Sequence, residues 1–269
     1  MDWLKHPQRP YLAAHRGVSG GNIPCNSEAA FRAAMAQGAD IIELDVTKAR
    51  DGTLFVFHPG MEHAHLTSPL PLRLLKKSGV LRRRYGNQDR AETVYGVMLL
   101  DDALELLRGR CIVNIDKFWT APEAITACIR RHGMADDVLI KTSSAPHDLS
   151  AVEAVAPDLP FVVMARSPRD AQAAARRRLN FVGVEALFKT GDAPVASEAF
   201  IAAQHERGRF LWGNAIVYNR RDVISAGHTD DAAVTGDPDF GWGWFRDRGF
   251  DVVQTDWLLA AKTYFEGTK

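Results

Sequence analysis

Between residue 138 and the C-terminus the chain repeatedly alternates short runs of β-branched and aliphatic residues with segments of helical spacing. The runs 138–141, 161–164, 181–187, 210–217 and 251–256 read as strands; 146–155, 168–177, 195–206 and 257–265 read as helices. Apolar runs this short, fenced by helices, are those of strands buried on both faces of a parallel sheet. The same alternation runs upstream. Residues 11–15 form a strand, and Asn26 or Ser27 caps a helix over 28–37 with Ala29, Phe31, Ala33 and Ala34 as its buried stripe. A strand over 39–47, a helix over 100–107 and a strand over 111–116 follow, and then a helix with Thr120 as cap and Pro122 in its first turn, where proline costs little. Arg50-Asp51-Gly52 signals a turn into a short returning strand, 53–58. Eight core strands with interleaved helices predict an α/β fold, the (β/α)8 TIM barrel. A doubly wound open sheet is the alternative, but no Gly-rich fingerprint opens its first βα unit.

Residues 59–98 break the pattern. They carry Pro59, Pro69, Pro71 and basic clusters without a sustained period, so they read as a small insertion after the second strand of a single domain over 1–269. Lys plus Arg and Asp plus Glu balance at 33 each, which argues against a nucleic-acid partner or an anionic membrane surface. The triplets Arg82-Arg83-Arg84 and Arg176-Arg177-Arg178 read as solvated faces. Three cysteines, Cys25, Cys111 and Cys128, cannot make a paired framework and suit a reducing, cytoplasmic setting. Residues 1–7 hold no apolar signal core, and no run approaches membrane-spanning length, so no membrane insertion is expected.

The second strand holds two acids inside an apolar run, Ile41-Ile42-Glu43-Leu44-Asp45-Val46. Alternation sends Glu43 and Asp45 to one face. Burying two like charges side by side is costly unless a cation or a proton neutralises them. An isolated pair of this kind is explained by one structural Arg or Lys and one solvated acid. Here other polar residues stand at strand ends as well: His15 and Arg16, Asn114 and Asp116, Lys141, Glu185, Asn214 and Asp256. Of these, Asp256 and Asn214 read as structural caps. In a barrel the strand ends share one mouth, so the set makes a metal site with an anion site beside it.

At this point the sequence resembles the glycerophosphodiester phosphodiesterases. The matching residues are Ala14-His15-Arg16-Gly17, then Asn26-Ser27 with Ala30-Phe31, then Gly38-Ala39-Asp40-Ile41-Ile42-Glu43-Leu44-Asp45-Val46, Asp51-Gly52 and Phe57-His58. Asn114-Ile115-Asp116 and Gln254-Thr255-Asp256 are weaker echoes. The resemblance implies a barrel in which Glu43, Asp45 and Asp116 hold one divalent cation. It implies that His15 and His58 are the acid and base, that Arg16 steadies the phosphate, and that 59–98 caps the mouth. Asn26 and Glu185 join Arg16 and Lys141 as candidate substrate contacts. With oxygen ligands alone, Mg²⁺ or Ca²⁺ is expected rather than Zn²⁺. The expected reaction is hydrolysis of a small glycerophosphodiester to glycerol 3-phosphate and an alcohol, by attack of water or of a neighbouring substrate hydroxyl. A related phospholipase, of phosphoinositide-cleaving or sphingomyelinase D type, and a silent barrel that binds a phosphorylated ligand are the alternatives.

The chain departs from the family pattern in three places. It has Pro24-Cys25-Asn26-Ser27 where the family has Pro-Glu-Asn-Thr, and it lacks the Asp expected just after His58. Its third ligand is an Asp followed directly by Lys117 rather than a Glu two residues before a Lys. Strand alternation then turns Lys117 away from Asp116, which makes Lys141 the expected phosphate cation. Two further features stay open. His63-Ala64-His65 reads as a metal pair or a loop, and the aromatic run 240–245 as a channel wall or a core cluster.

Overall fold

The computed structural model describes residues 9–217, 219 and 221–267; the N-terminal segment 1–7 discussed above lies outside them. The fold is a (β/α)8 barrel. Its parallel strands are β1 (Tyr11–His15), β2 (Ile41–Lys48), β3 (Ile112–Asp116), β4 (Val138–Ser143), β5 (Phe161–Ala165), β6 (Phe181–Ala186), β7 (Phe210–Asn214) and β8 (Val252–Thr255). Two compact units divide the chain, one of residues 16–140 and one of residues 1–15 with 141–269.

Within 16–140, β3 lies between β2 and the start of β4, all parallel. Seven of the eight residues of β2 are buried, as the apolar run requires of a strand covered on both faces. The register pairs Glu43 with Asn114 and Asp45 with Asp116, so both acids of β2 share a face with both polar residues of β3. The helix Glu28–Ala36 starts at Ser27, whose hydroxyl accepts the Ala30 N–H at 3.2 Å, and buries Ala30, Phe31 and Ala34. Ser27, not Asn26, is the cap. The expected Thr120 cap is not found either. Ala121 holds that position before the helix Pro122–Arg131, and Thr120 donates instead to the Val46 carbonyl at 3.2 Å.

The segment 59–98 is short pieces rather than loop. It holds the helices Glu62–His65 and Lys77–Leu81, the 3₁₀ turn Leu72–Leu74 and the hairpin Arg84–Gly86 with Glu92–Gly96. Met98–Leu99 pairs with the returning strand Leu54–Val56, which pairs with β2. Phe55, Phe57, Leu66, Leu72, Val80 and Tyr85 form a core of their own beneath it. Such a core, built from scattered apolar residues, leaves no period in the sequence.

In the other unit the order is β1, β8, β7, β6, β5. Two expectations change here. The strand expected to Val217 ends at Asn214. The stretch between β7 and β8, where the sequence reading places no strand or helix, contains the helix Asp230–Thr235, a π turn over Asp239–Gly243 and the helix Trp244–Arg248. Thr229 caps the first by accepting the Ala232 N–H at 3.2 Å. The aromatic run is a packed cluster: Trp244 stacks on His228 at 4.1 Å and also meets Phe188, Phe245 and Phe250. No helix among the described residues is long and apolar enough to cross a membrane.

Candidate active site

In the unit 16–140 the end of β2 gathers most of the expected residues. Glu43, Asp45 and Asp116 are buried, and each offers a carboxylate oxygen such that the three lie within 4.8 Å of one another. Arg16 follows β1 in a left-handed conformation, φ 58°. That turn points its backbone N–H at Glu43 Oε2, 3.0 Å away, and its guanidinium Nε at Asp45 Oδ2, 2.8 Å away. Gly17 continues the turn at φ 78°; a Cβ there would lie 2.7 Å from the Ala30 backbone, so no other residue fits.

Asn26, also left-handed at φ 55°, closes the loop that Arg16 opens, its N–H donating to the Arg16 carbonyl at 2.9 Å. Both ends of its amide engage Asp45: Nδ2 donates to Oδ2 at 2.9 Å, and Oδ1 accepts the Asp45 N–H at 3.3 Å. Asn26 was expected to meet substrate; in the structure its amide orients a carboxylate.

His58 lies at the end of the returning strand. Its Nδ1–H donates to the Pro59 carbonyl at 3.0 Å, which leaves Nε2 as the acceptor nitrogen, 4.0 Å from Asp45 Oδ1. Burial pulls the imidazole below its usual range; Lys117 and Arg16 add to the fall, and Asp45 opposes it. His58 is therefore neutral near pH 7.

The structure corrects the reading of Lys117. The strand ends at Asp116, and Lys117 sits at φ 60°, so alternation no longer applies. Its ammonium lies 2.7 Å from Asp116 Oδ2 and 3.6 Å from Asp45 Oδ1, inside the cluster rather than turned away. Burial alone would raise the Asp45 pKa. Arg16, then Lys117 and more weakly His58 outweigh it against Asp116, and hold the carboxyl below its usual range.

Even so, Asp45 Oδ1 is buried without a hydrogen-bond partner. A buried carboxylate oxygen left open beside two further carboxylates is what a hard divalent ion would complete, and the all-oxygen donor set fits one. Another group of ligand-type side chains, Asp101, Cys128 and His132, is already an ion-pair network. Arg131 bonds Asp101, and His132 Nε2 lies 3.0 Å from the same oxygen.

The other unit holds the remaining expected residues. His15 Nδ1 lies 2.9 Å from Asp256 Oδ1, and as a carboxylate only accepts, Nδ1 carries the proton. Asp256 is thus no simple cap, as the sequence alone suggested. Its own N–H donates to Asp230 Oδ2 at 2.8 Å, while Asp230 Oδ1 accepts from Trp242 Nε1 and Thr255 Oγ1 at 2.7 and 2.6 Å. Lys141 and Glu185 are buried together, Nζ to Oε1 at 3.3 Å, with Asn214 Nδ2 donating to the same oxygen at 2.9 Å. Lys117 and Asp256 are the residues the sequence reading missed. Asp256 did stand in the late Gln-Thr-Asp echo, but its partner lies 241 residues away.

The family model described as "Glycerophosphoryl diester phosphodiesterase family" matches residues 15–219, from the first of these histidines to beyond β7. The chain belongs to this family. Among curated relatives, a glycerophosphodiester phosphodiesterase of Caldanaerobacter subterraneus is 58% identical over 47 residues, 18% of this chain and 19% of that one. Such matches span 60% of the first such relative's length and less than a fifth of the next two. Solved structures show the fold over nearly the full length. A glycerophosphoryl diester phosphodiesterase from Parabacteroides distasonis superposes with a TM-score of 0.77 at 16% identity, covering 96% of this chain and 87% of that one. A phosphodiesterase from Oleispira antarctica, solved with the product sn-glycerol-3-phosphate, has a TM-score of 0.71 at 16% identity, covering 96% and 97%.

Proposed function

We propose that this protein is a divalent-metal-dependent phosphodiesterase that hydrolyses glycerophosphodiesters to glycerol 3-phosphate and an alcohol, within one domain whose 59–98 segment caps the mouth. The observation that carries the reading is the convergence of Glu43, Asp45 and Asp116, with one Asp45 oxygen left open among cations. Family membership supplies the reaction class. The product held by the Oleispira structure is the one expected here.

A phosphodiester is anionic, so it repels a nucleophile, and its alkoxide leaves poorly. A bound Mg²⁺ or Ca²⁺ would offset the negative charge of the phosphate and acidify a hydroxyl beside it. Glu43, Asp45 and Asp116 would hold that ion. Arg16 and Lys117 add fixed positive charge that strengthens as the transition state develops negative charge. Asn26 keeps Asp45 in one rotamer. Neutral His58, with Nδ1–H tied to Pro59, presents Nε2 as the base. His15 serves as the acid, with Asp256 fixing its tautomer and stabilising positive charge on the ring. Lys141 and Glu185 are retained as substrate contacts, Lys141 as a further phosphate cation. Reduced cysteines and balanced charge support a cytoplasmic setting and a small-molecule partner.

The test is product analysis. Purified protein with Mg²⁺ or Ca²⁺ and a panel of glycerophosphodiesters should release glycerol 3-phosphate and the free alcohol in equal amounts. Release of phosphate from monoesters with no diester cleavage would overturn the reading.

A further inference from the structure

The reaction proposed above splits a diester into glycerol phosphate and an alcohol, and the residues assigned to it act on the phosphate. They leave open where the alcohol is held. Within the unit 16–140, along the loop between Arg16 and Asn26, lies a cavity of about 490 Å³, a size typical of small-molecule sites. One wall is the Gly-rich loop from Ser19 to Cys25, and the other is His65 with the hairpin turn from Gly86 to Arg90. The loop is the one that Arg16 opens and Asn26 closes, so its ends are fixed at Asp45. The cavity's Cys25 wall adjoins Asn26, whose amide holds Asp45, and its Gly86 wall adjoins Tyr85, whose hydroxyl donates to the Asn26 carbonyl at 3.3 Å. Both walls are thus tied to the residue that orients the cluster.

Its walls are held apart at a set distance. Asn87 Nδ2 donates across the gap to Asn22 Oδ1 at 3.1 Å, while Asn87 Oδ1 is occupied by the N–H groups of Asp89 and Ala91. That bond turns the Asn22 amide so that its NH₂ end is not the one used in bridging. Arg90 is anchored through one guanidinium nitrogen to the His63 carbonyl at 2.8 Å, which fixes a positive charge at the rim. The lining contains Ser19, two asparagines, Gln88 and this Arg, but no carboxylate and no Phe, Tyr or Trp. A trimethylammonium group is recognised by aromatic faces and acids, and neither is present. Hydroxyls and phosphate oxygens are recognised by amides and guanidinium, and these are.

We propose that this cavity binds the alcohol half of the diester and selects a polyol head group, bare or phosphorylated, over a quaternary ammonium one. His65, on the second half of the His-Ala-His stretch, is then a wall of the head-group pocket and not a metal ligand. Asn22 is the specificity-determining residue that meets the polyol hydroxyls.

The inference rests on the reaction proposed above, and the experiment separates the two. Holoenzyme with Mg²⁺ is assayed on glycerophosphoinositol, glycerophosphoglycerol and glycerophosphocholine, as the wild type and as Asn22→Ala. The wild type should favour the polyol diesters in kcat/KM by about tenfold or more, and Asn22→Ala should cut that preference about five- to tenfold, the scale of one lost hydrogen bond. Asn22→Ala should keep the wild-type circular dichroism spectrum, so that a loss confined to the polyol diesters reads as lost recognition and not as a general loss of structure. Equal or better turnover of the choline diester by the wild type overturns the pocket assignment while leaving the reaction intact. So does an equal loss on all three substrates in the variant. If none is cleaved, the reaction fails, and calorimetric binding of the same diesters still decides the pocket. Tighter binding of glycerophosphoinositol that Asn22→Ala weakens supports it; equal or tighter binding of glycerophosphocholine overturns it.

Discussion

The two lysines, one in each unit, show how much is set one residue at a time. Lys117 enters the cluster only because the backbone leaves β3 in a left-handed turn, and nothing in a strand-period reading anticipates a positive φ at a lysine. Lys117→Ala should lower kcat/KM by about one to three orders of magnitude, on the scale of losing one charge-stabilising contact. Its melting temperature should fall less than that of Lys141→Ala, since the Lys117 side chain is 17% exposed against 2% for Lys141. Lys141→Ala is a different lesion. It strands Glu185 as a buried, unpaired carboxylate, at a cost of about 3–5 kcal/mol. Thermal unfolding of both variants alongside steady-state kinetics separates the cases; a fully active Lys117→Ala would remove that lysine from the phosphate site. Gly17 was legible as part of His-Arg-Gly, but its reason was not. A side chain there meets the Ala30 backbone at 2.7 Å in a left-handed turn. Gly17→Ala should destabilise by about 2–3 kcal/mol through overpacking and strain, read as a shift of the chemical-denaturation midpoint.

At the scale of elements, strands and long helices were readable because they are buried on defined faces. β2 and β3 stand where the apolar runs put them, and the helix Leu100–Leu107 matches its expected ends. What escaped was order created by tertiary anchors. The helix Asp230–Thr235 is short and polar, and it is fixed through Asp230, which gathers donors from Trp242, Thr255 and Asp256. No local period records such an anchor. The helix Pro168–Ala175 shows the opposite case, a local device that carries a pH signature. Asp170 Oδ2 accepts the Ser167 N–H at 2.8 Å in a capping box, and its Oδ1 accepts from Ser144 Oγ at 2.5 Å. Burial alone would raise its pKa; hydrogen bonds from Ser144, Ser167 and the Arg166 N–H outweigh it and hold the carboxyl below the usual range. A depressed folded pKa means stability that is complete above the unfolded value of 3.8 and is lost as pH falls through the folded one. Asp170→Ala should therefore cost about 1 kcal/mol at pH 7 and progressively less as the pH drops below that value. A stability difference that stays constant down to pH 2 would show that the ionised cap is not the source.

Over the whole molecule, fold class followed from eight strand-like runs, and family from a few motifs in the first fifth of the chain. Those motifs singled out Glu43 and Asp45, whose place on one face follows from alternation along a single strand. They were silent where a contact joins distant segments: Asp256 with His15, or Asn26 turned onto Asp45. The central claim is that three buried carboxylates exist to hold a divalent ion that the reaction needs. Without the ion, the Asp45 charge is held chiefly by Arg16 and Lys117, and one Asp45 oxygen stays buried without a hydrogen bond. The most direct measurement is the rate of glycerol 3-phosphate release from a glycerophosphodiester by protein stripped with chelator and then titrated with Mg²⁺ or Ca²⁺, for the wild type and for Asp45→Asn. The account predicts background rates in chelator, saturable recovery on titration for the wild type, and no recovery at any metal concentration for Asp45→Asn. Undiminished turnover by the wild type in excess chelator would contradict it.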